Sequence, residues 1–217
     1  MTFVRILGKL LVSVGVGILL FVAWTLWGTG IYTAREQARL ARQFDSLPPF
    51  KASAVEPRSP SGPPKGYSPR PGAPVFRLRI PAIGLDRIVV QGVDDEQLAL
   101  GPGHYPSCGR GFERPLCTQR DEVWPGEPGR VIVSGHRTTH GAPFWDLDKL
   151  DAGDVVSVQT RWGDFVYRVS GSEVVAPSAR DIANPAATNA YEIAFTTCHP
   201  KFSASQRLIV YAKMKTR

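Results

Sequence analysis

The sequence predicts an all-β domain, a closed barrel or a sandwich, and three observations lead there. From Val75 onward, seven short runs rich in Val, Ile, Phe, Tyr and Thr recur with turn residues between them. Within most runs apolar and polar residues alternate, which fits a pleated strand with one buried face. Seven or more strands in roughly 140 residues leave few ways to protect sheet edges other than closure or a second sheet.

The runs, in order, are VFRLRI (75–80), RIVVQGV (87–93), RVIVSGH (130–136), DVVSVQT (154–160), DFVYRVSGSEVV (164–175), YEIAFTTC (191–198) and QRLIVYAKM (206–214). The fourth and fifth are joined through RWGD (161–164), a hairpin turn. One short helix is expected, in PFWDLDKLDAG (143–153). There is no internal repeat.

Ahead of this domain lie two appendages. Leu10 to Ala34 is a run of 25 residues without a charge, longer than the ~20 apolar residues that cross a bilayer as a helix. Trp24, Trp27 and Tyr32 stand at its far end, where interfacial aromatics belong. A cleaved signal peptide, with Arg5 and Lys9 as its charged start, is the competing reading, but its apolar region is ordinarily only about 7–15 residues long. Charge does not orient the span, because Arg35, Arg39 and Arg42 balance Arg5, Lys9 and the amino terminus. REQARLARQFDSL extends the helix by two or three turns. Residues 46–74, rich in Pro, Ser and Gly, then read as a semi-extended spacer that holds the domain off the membrane. The resulting division is 1–9 for the N-terminus, 10–34 for a transmembrane anchor, 35–74 for a Pro-rich linker and 75–217 for the folded domain.

The net charge of +7 sits mainly in the appendages: residues 1–74 hold nine Lys/Arg against three Asp/Glu, and residues 75–217 hold seventeen against sixteen. A nucleic-acid-binding module would carry its basic excess on the folded domain. No nucleic-acid partner is therefore expected, and a basic tether beside an anionic membrane accounts for the high pI.

Of three cysteines, Cys108 and Cys117 are close enough to pair as a disulfide if the domain lies outside the cytoplasm, leaving Cys198 odd. Strand phase gives Cys198 company. In YEIAFTTC, Ile193 and Phe195 share the core face, which turns Ala194, Thr196 and Cys198 to the other. In QRLIVYAKM, Leu208, Val210, Ala212 and Met214 face the core and Arg207 faces away. In RVIVSGH, His136 is in phase with Ile132 and Ser134, opposite Val131 and Val133. Cys198, His136 and Arg207 therefore share a face if their strands are neighbours. A thiol needs a base or cation to become a thiolate near neutral pH. An imidazole exchanges that proton and a guanidinium offers donors to an oxyanion, so the three suffice for acyl transfer.

Other placements are weaker. His199 adjoins Cys198 and so points to the opposite face. A zinc site from His136, His140, Cys198 and His199 would need a helix in GHRTTHGAPF, which two glycines and a proline oppose. His104, in GPGHYP, reads as a loop brace. A buried inert Cys198 beside a solvated Arg207 is the plain alternative.

The ordered motifs RIPAIGLDRIVVQGV, LALGPGHYP, PGEPGRVIVSGHRTTHGAPFWDLDKLDAGD and FTTCHPKFSASQRLIVYAKM, with the anchor-proximal GTGIYTAREQ, resemble those of the sortases, cysteine transpeptidases of Gram-positive cell surfaces. The similarity is greatest to the class E group of high-GC actinobacteria and runs from about Phe76 to Met214. It implies a closed β-barrel of about eight strands with short helices, and it places the family's catalytic residues on Cys198, His136 and Arg207. Two departures stand out. The usual T-L-x-T-C run is AFTTC here, with Ala194 and Phe195 in place of Thr and Leu. The segment SCGRGFERPLCTQRDEVWPGE is long and brings in Cys108 and Cys117, whose disulfide would contribute roughly 2–3 kcal/mol by loop closure.

The resemblance further implies a substrate exported with a C-terminal L-P-x-T-G or L-A-x-T-G signal, cut between Thr and Gly. The acyl-enzyme is then resolved by an amine of a peptidoglycan precursor or a pilin lysine, with no cofactor or metal. It implies a single-pass membrane protein with its N-terminus inside and its catalytic domain outside. Tyr105 resembles a class E position that recognises the residue after Leu, and Thr197 is a weaker candidate for binding substrate backbone. A cysteine hydrolase of the same signal and a non-catalytic surface binding domain are the alternatives.

Overall fold

The computed structural model describes residues 2–50, 61–108, 122–179, 182 and 189–214. Eight strands close into a barrel: β1 (Pro74–Ile80), β2 (Leu85–Gln91), β3 (Gly103–His104), β4 (Gly129–Ser134), β5 (Val155–Gln159), β6 (Asp164–Val175), β7 (Tyr191–His199) and β8 (Gln206–Met214). Their order around the barrel is β1, β2, β3, β4, β7, β8, β6, β5. The seven expected runs are all strands. The eighth, β3, is two residues long, too short for alternation to reveal. The hairpin at RWGD is present, with Gln159 paired to Asp164.

The barrel interior is the core. Phe76, Leu78 and Ile80 from β1, Val131 and Val133 from β4, Ile193 and Phe195 from β7, and Leu208, Val210 and Ala212 from β8 are buried in one cluster. This is the face the alternation assigned. Ile132, Ala194 and Ile209, on the outer face, are buried as well.

The expected helix at 143–153 is absent; turns and a single 3-10 segment, Leu147–Lys149, replace it. Phe144, Leu147 and Leu150 are its buried residues. Their spacing of three matches the 3-10 repeat rather than the 3.6 of an α-helix. A six-residue helix, α3 (Asp95–Leu100), follows β2 instead.

The N-terminal segment differs most from expectation. Helix α1 (Thr2–Ala23) passes through a π-helical turn, Trp24–Gly28, into α2 (Thr29–Ser46). The stretch long and apolar enough to cross a membrane is Phe3–Ala23. Helix α2 is no free extension, since its Leu40 and Phe44 pack on Ile88 and Val90 outside β2. Gln37 clasps a single residue of β2, donating from Nε2 to Ile88 O (2.9 Å) while its Oε1 accepts from Ile88 N (2.8 Å). It also donates to Leu100 O (2.9 Å), and Thr33 donates to Ala99 O (2.8 Å).

Both described flanks of the Pro-rich stretch are likewise held. Phe50 N donates to Arg161 O (2.8 Å), and the Arg161 guanidinium lies 3.9 Å over the Phe50 ring. Tyr67 packs edge-on against Trp124 and Trp162. Residues 51–60 lie outside the described residues. Two aromatics that find partners on the barrel thus convert the ends of an expected spacer into part of the domain surface.

Candidate active site

Strand pairing assembles the site. β7 runs antiparallel to β8 with Cys198 directly opposite Arg207, and parallel to β4 with Ser134 beside Thr196. Two residues past the C-terminal end of that parallel ladder, one on each strand, come His136 and Cys198. Neighbouring strands bring together the three side chains that phase had put on one face, and Cβ atoms of facing residues in such ladders stand about 5 Å apart.

Cys198 is half-buried and a free thiol. Arg207 is fixed from behind, its Nη1 donating to Ala204 O (2.9 Å) and Gln206 O (3.0 Å). Those two bonds use both Nη1 protons and leave three of the five guanidinium donors. His136 is half-buried, and among the described residues its Nε2 has no hydrogen-bond partner. Burial, helped by the neighbouring His140 and opposed by the Asp95 carboxylate, pulls its pKa down to about 4. The imidazole is therefore neutral at physiological pH and able to take a proton.

The loop after β4 is tightly specified. The Thr197 hydroxyl donates to Gly135 O (2.7 Å) and Gly135 N donates to Thr196 O (3.2 Å), riveting the histidine strand to the cysteine strand. Gly135 is required by packing, because a Cβ there would stand 2.7 Å from the Phe144 ring. His136 O accepts from Phe144 N (3.2 Å), and Phe144 packs edge-on to Phe195 in the core. The His140 ring stacks on His136 with centroids 4.5 Å apart and planes 23° from parallel. His140 (φ 53°), Ala142 (φ 42°) and, in the β7–β8 connection, Phe202 (φ 65°) adopt left-handed backbone. Such strain in non-glycine residues gathers at functional sites.

Tyr105 follows β3, and its backbone N donates to Ile132 O (3.0 Å). Its phenol is hydrogen-bonded to Ser134 and lies within the field of Arg207, although burial still raises its pKa. It therefore lines the same side of the barrel as Cys198, His136 and Arg207. Thr197 is 2% exposed, and the hydroxyl expected to meet substrate is donated inward to Gly135. His104 is buried between Gln91 Oε1 (3.1 Å) and Val123 O (2.9 Å) and braces its loop. His199, next to Cys198, has a buried Nδ1 with no partner among the described residues. Cys108 is disulfide-bonded, whereas Cys117, its expected partner, lies outside the described residues.

The Sortase family's domain model matches residues 78–215, which span every strand of the barrel except the first residues of β1. The chain belongs to the sortase family. Sortase SrtE1 of Streptomyces coelicolor is 31% identical over 97% of this chain. This sortase spans 56% of that relative's length. The crystal structure of sortase E1 from Streptomyces coelicolor, solved with a tripeptide in the active site, is 30% identical with a TM-score of 0.57, over 68% of this chain and 91% of that one. A sortase D5 transpeptidase of Clostridium perfringens, 24% identical, shares the fold with a TM-score of 0.63 over 83% of this chain and 99% of its own. Sortases are cysteine transpeptidases, and among the described residues of this sortase Cys198 is the free cysteine.

Sequence reasoning missed three contributors. His140 had been weighed only as a metal ligand, and nothing in its spacing signals a stacked ring. Gly135 was legible only as part of SGH. The docking of helix α2, expected only as an extension of the anchor, was hidden because two of its four buried positions, Thr33 and Gln37, are polar.

Proposed function

We propose that this sortase is a membrane-anchored cysteine transpeptidase that cleaves an L-A-x-T-G or L-P-x-T-G signal between Thr and Gly and passes the protein to an amine of a peptidoglycan precursor or a pilin. The supporting observation is the cross-strand pairing of Cys198 with Arg207 while His136 stands two residues beyond the adjoining parallel strand. Neutral His136 takes the Cys198 proton as sulfur attacks the threonine carbonyl carbon. The three free donors of Arg207 face the developing oxyanion or a neighbouring substrate carbonyl. The tetrahedral adduct collapses with rupture of the Thr–Gly C–N bond, and His136 returns the proton to the departing glycine amine. An incoming amine then attacks the thioester, gives up a proton to His136 and leaves an amide with the thiol restored.

Tyr105 is assigned to the residue after Leu in the signal, on the strength of its position beside Ser134 and Arg207. The Phe3–Ala23 helix serves as the anchor, with the amino terminus inside and the barrel outside. Confining enzyme and membrane-borne substrate to one surface raises their effective concentration. Cys108 and Cys117 are assigned to one disulfide in that oxidising setting.

The test uses the full chain in nanodiscs with L-A-x-T-G and L-P-x-T-G peptides, with and without a glycine-based amine, followed by intact-protein mass spectrometry. An adduct of the peptide's N-terminal part on Cys198, absent in Cys198→Ala and resolved to an amide by amine, is expected. Folded, reduced protein that forms no adduct overturns the reading. Release of free acid at saturating amine makes the enzyme a hydrolase instead.

A further inference from the structure

Residues well outside the triad converge on the loop that carries it. Thr29, the first residue of α2, accepts a hydrogen bond at Oγ1 from the backbone N–H of His140 (3.1 Å), across 111 positions of sequence. The same hydroxyl donates its proton to Thr25 O in the π-helical turn (2.9 Å), so its donor and acceptor roles are fixed. Gly30 approaches closely enough that a Cβ would lie 3.5 Å from Gly141 N. The start of α2 thus lies against the loop between His136 and Phe144.

Two features make this contact more than surface packing. First, His140 is held at φ 53° with Ala142 at φ 42°, left-handed conformations that non-glycine residues keep only where surroundings impose them. The imposing contacts are Thr29 on the His140 N–H, Thr139 Oγ1 on His140 Nδ1 (3.2 Å), and the Ala142 N–H donated to Thr139 O (2.8 Å). Among the described residues Ala142 O also accepts from Trp145 N (3.0 Å), just past the loop, and of these contacts only that of Thr29 reaches in from another element. Second, α2 cannot slide, because Gln37 grips both polar groups of Ile88 and Thr33 holds Ala99 O. The helix is a fixed strut with one end at the β2 wall and the other at His140. The ring so placed covers a face of His136 at 4.5 Å.

We propose that the juxtamembrane helix is part of the catalytic apparatus: Thr29, through the backbone of His140, fixes the His140 ring against His136, which makes His140 a positioning residue for the imidazole that serves Cys198. The proposal rests on the triad assigned above. It also places the histidine loop six residues beyond Ala23, the end of the apolar helix, or about 9 Å along a helical path.

A double-mutant cycle on the full chain in nanodiscs tests it, with Thr29→Val, Thr29→Ser, His140→Ala and the Thr29→Val/His140→Ala pair. Thr29→Val keeps the shape and removes the acceptor. Expected is a loss of about three- to tenfold in kcat with KM for the peptide unchanged, the range one lost hydrogen bond can produce, and recovery in Thr29→Ser. The double variant should be no slower than His140→Ala alone, because Thr29 acts through that residue. Unchanged kcat in Thr29→Val, a change confined to KM, failure of Ser to rescue, or multiplying losses in the pair would each overturn it. The rate of Cys198 alkylation by iodoacetamide, measured on the same variants, needs no peptide. If wild type transfers no peptide, the transpeptidase reading fails, while the Thr29 coupling still stands or falls on whether alkylation shifts in Thr29→Val and returns in Thr29→Ser.

Discussion

Cys198 and Arg207 are direct partners across the antiparallel β7–β8 ladder, and the guanidinium is pinned from behind by Ala204 O and Gln206 O. A lysine cannot occupy that arrangement, because its single ammonium cannot hold two backbone carbonyls and still present a planar set of donors forward. Arg207→Lys is expected to reduce kcat/KM by about 10²-fold or more, in the range seen for loss of an oxyanion donor. The thermal midpoint should barely move. Peptide-cleavage kinetics beside a melting curve measure both.

Thr197→Val replaces the hydroxyl that holds Gly135 O with an isosteric methyl. It leaves a buried carbonyl unpaired at the joint between the histidine and cysteine strands, at a cost of about 1–3 kcal/mol. Denaturant unfolding should show that loss, and kcat should fall with it. Thr197→Ser, which keeps the donor, should retain most of both.

The pH dependence follows from His136. Its folded pKa of about 4 lies below the ordinary 6.5, so between those values the unfolded chain binds more protons than the native one. The contribution to stability is therefore complete above pH 6.5 and is lost progressively as pH falls toward 4. Activity that depends on neutral His136 in the free enzyme should persist through pH 6 and decline only as pH approaches 4. Unfolding midpoints and kcat/KM for the peptide, taken between pH 4 and 8, test the two statements together. A loss of activity centred near 6.5 would contradict the buried, neutral imidazole.

Gln37→Leu should detach α2. The substitution strips three hydrogen bonds, two from buried backbone groups of Ile88 and one from the partly buried carbonyl of Leu100, each worth about 1 kcal/mol. Faster proteolysis between α2 and β1 than in wild type is the expected sign, with the barrel itself still folded by circular dichroism.

These residues also show what could be read from sequence. The face of each long strand was legible because alternation has a period of two and the barrel interior takes one face of each strand, so Ile193 and Phe195 sent Cys198 outward. Adjacency was not legible: period cannot say that β4 lies beside β7 when β5 and β6 intervene in the chain. The docked helix escaped because its anchoring is polar. Thr33 and Gln37 satisfy backbone carbonyls of the barrel, and a scan for apolar stripes takes such residues for a solvated face. Phe144, Leu147 and Leu150 misled in the opposite sense, since apolar residues three apart suit 3-10 turns as well as one short helix.

The parallel pairing of β4 with β7 has a consequence for timing. His136 and Cys198 are 62 residues apart, so the pairing of β4 with β7 closes a long loop of chain that holds β5 and β6. Contacts of such long sequence separation form late and slowly. Until that pairing forms, Cys198 stands in the chain without His136 beside it. Under the proposed mechanism the topology acts as a safety catch, keeping Cys198 apart from His136 until that long-range pairing is made.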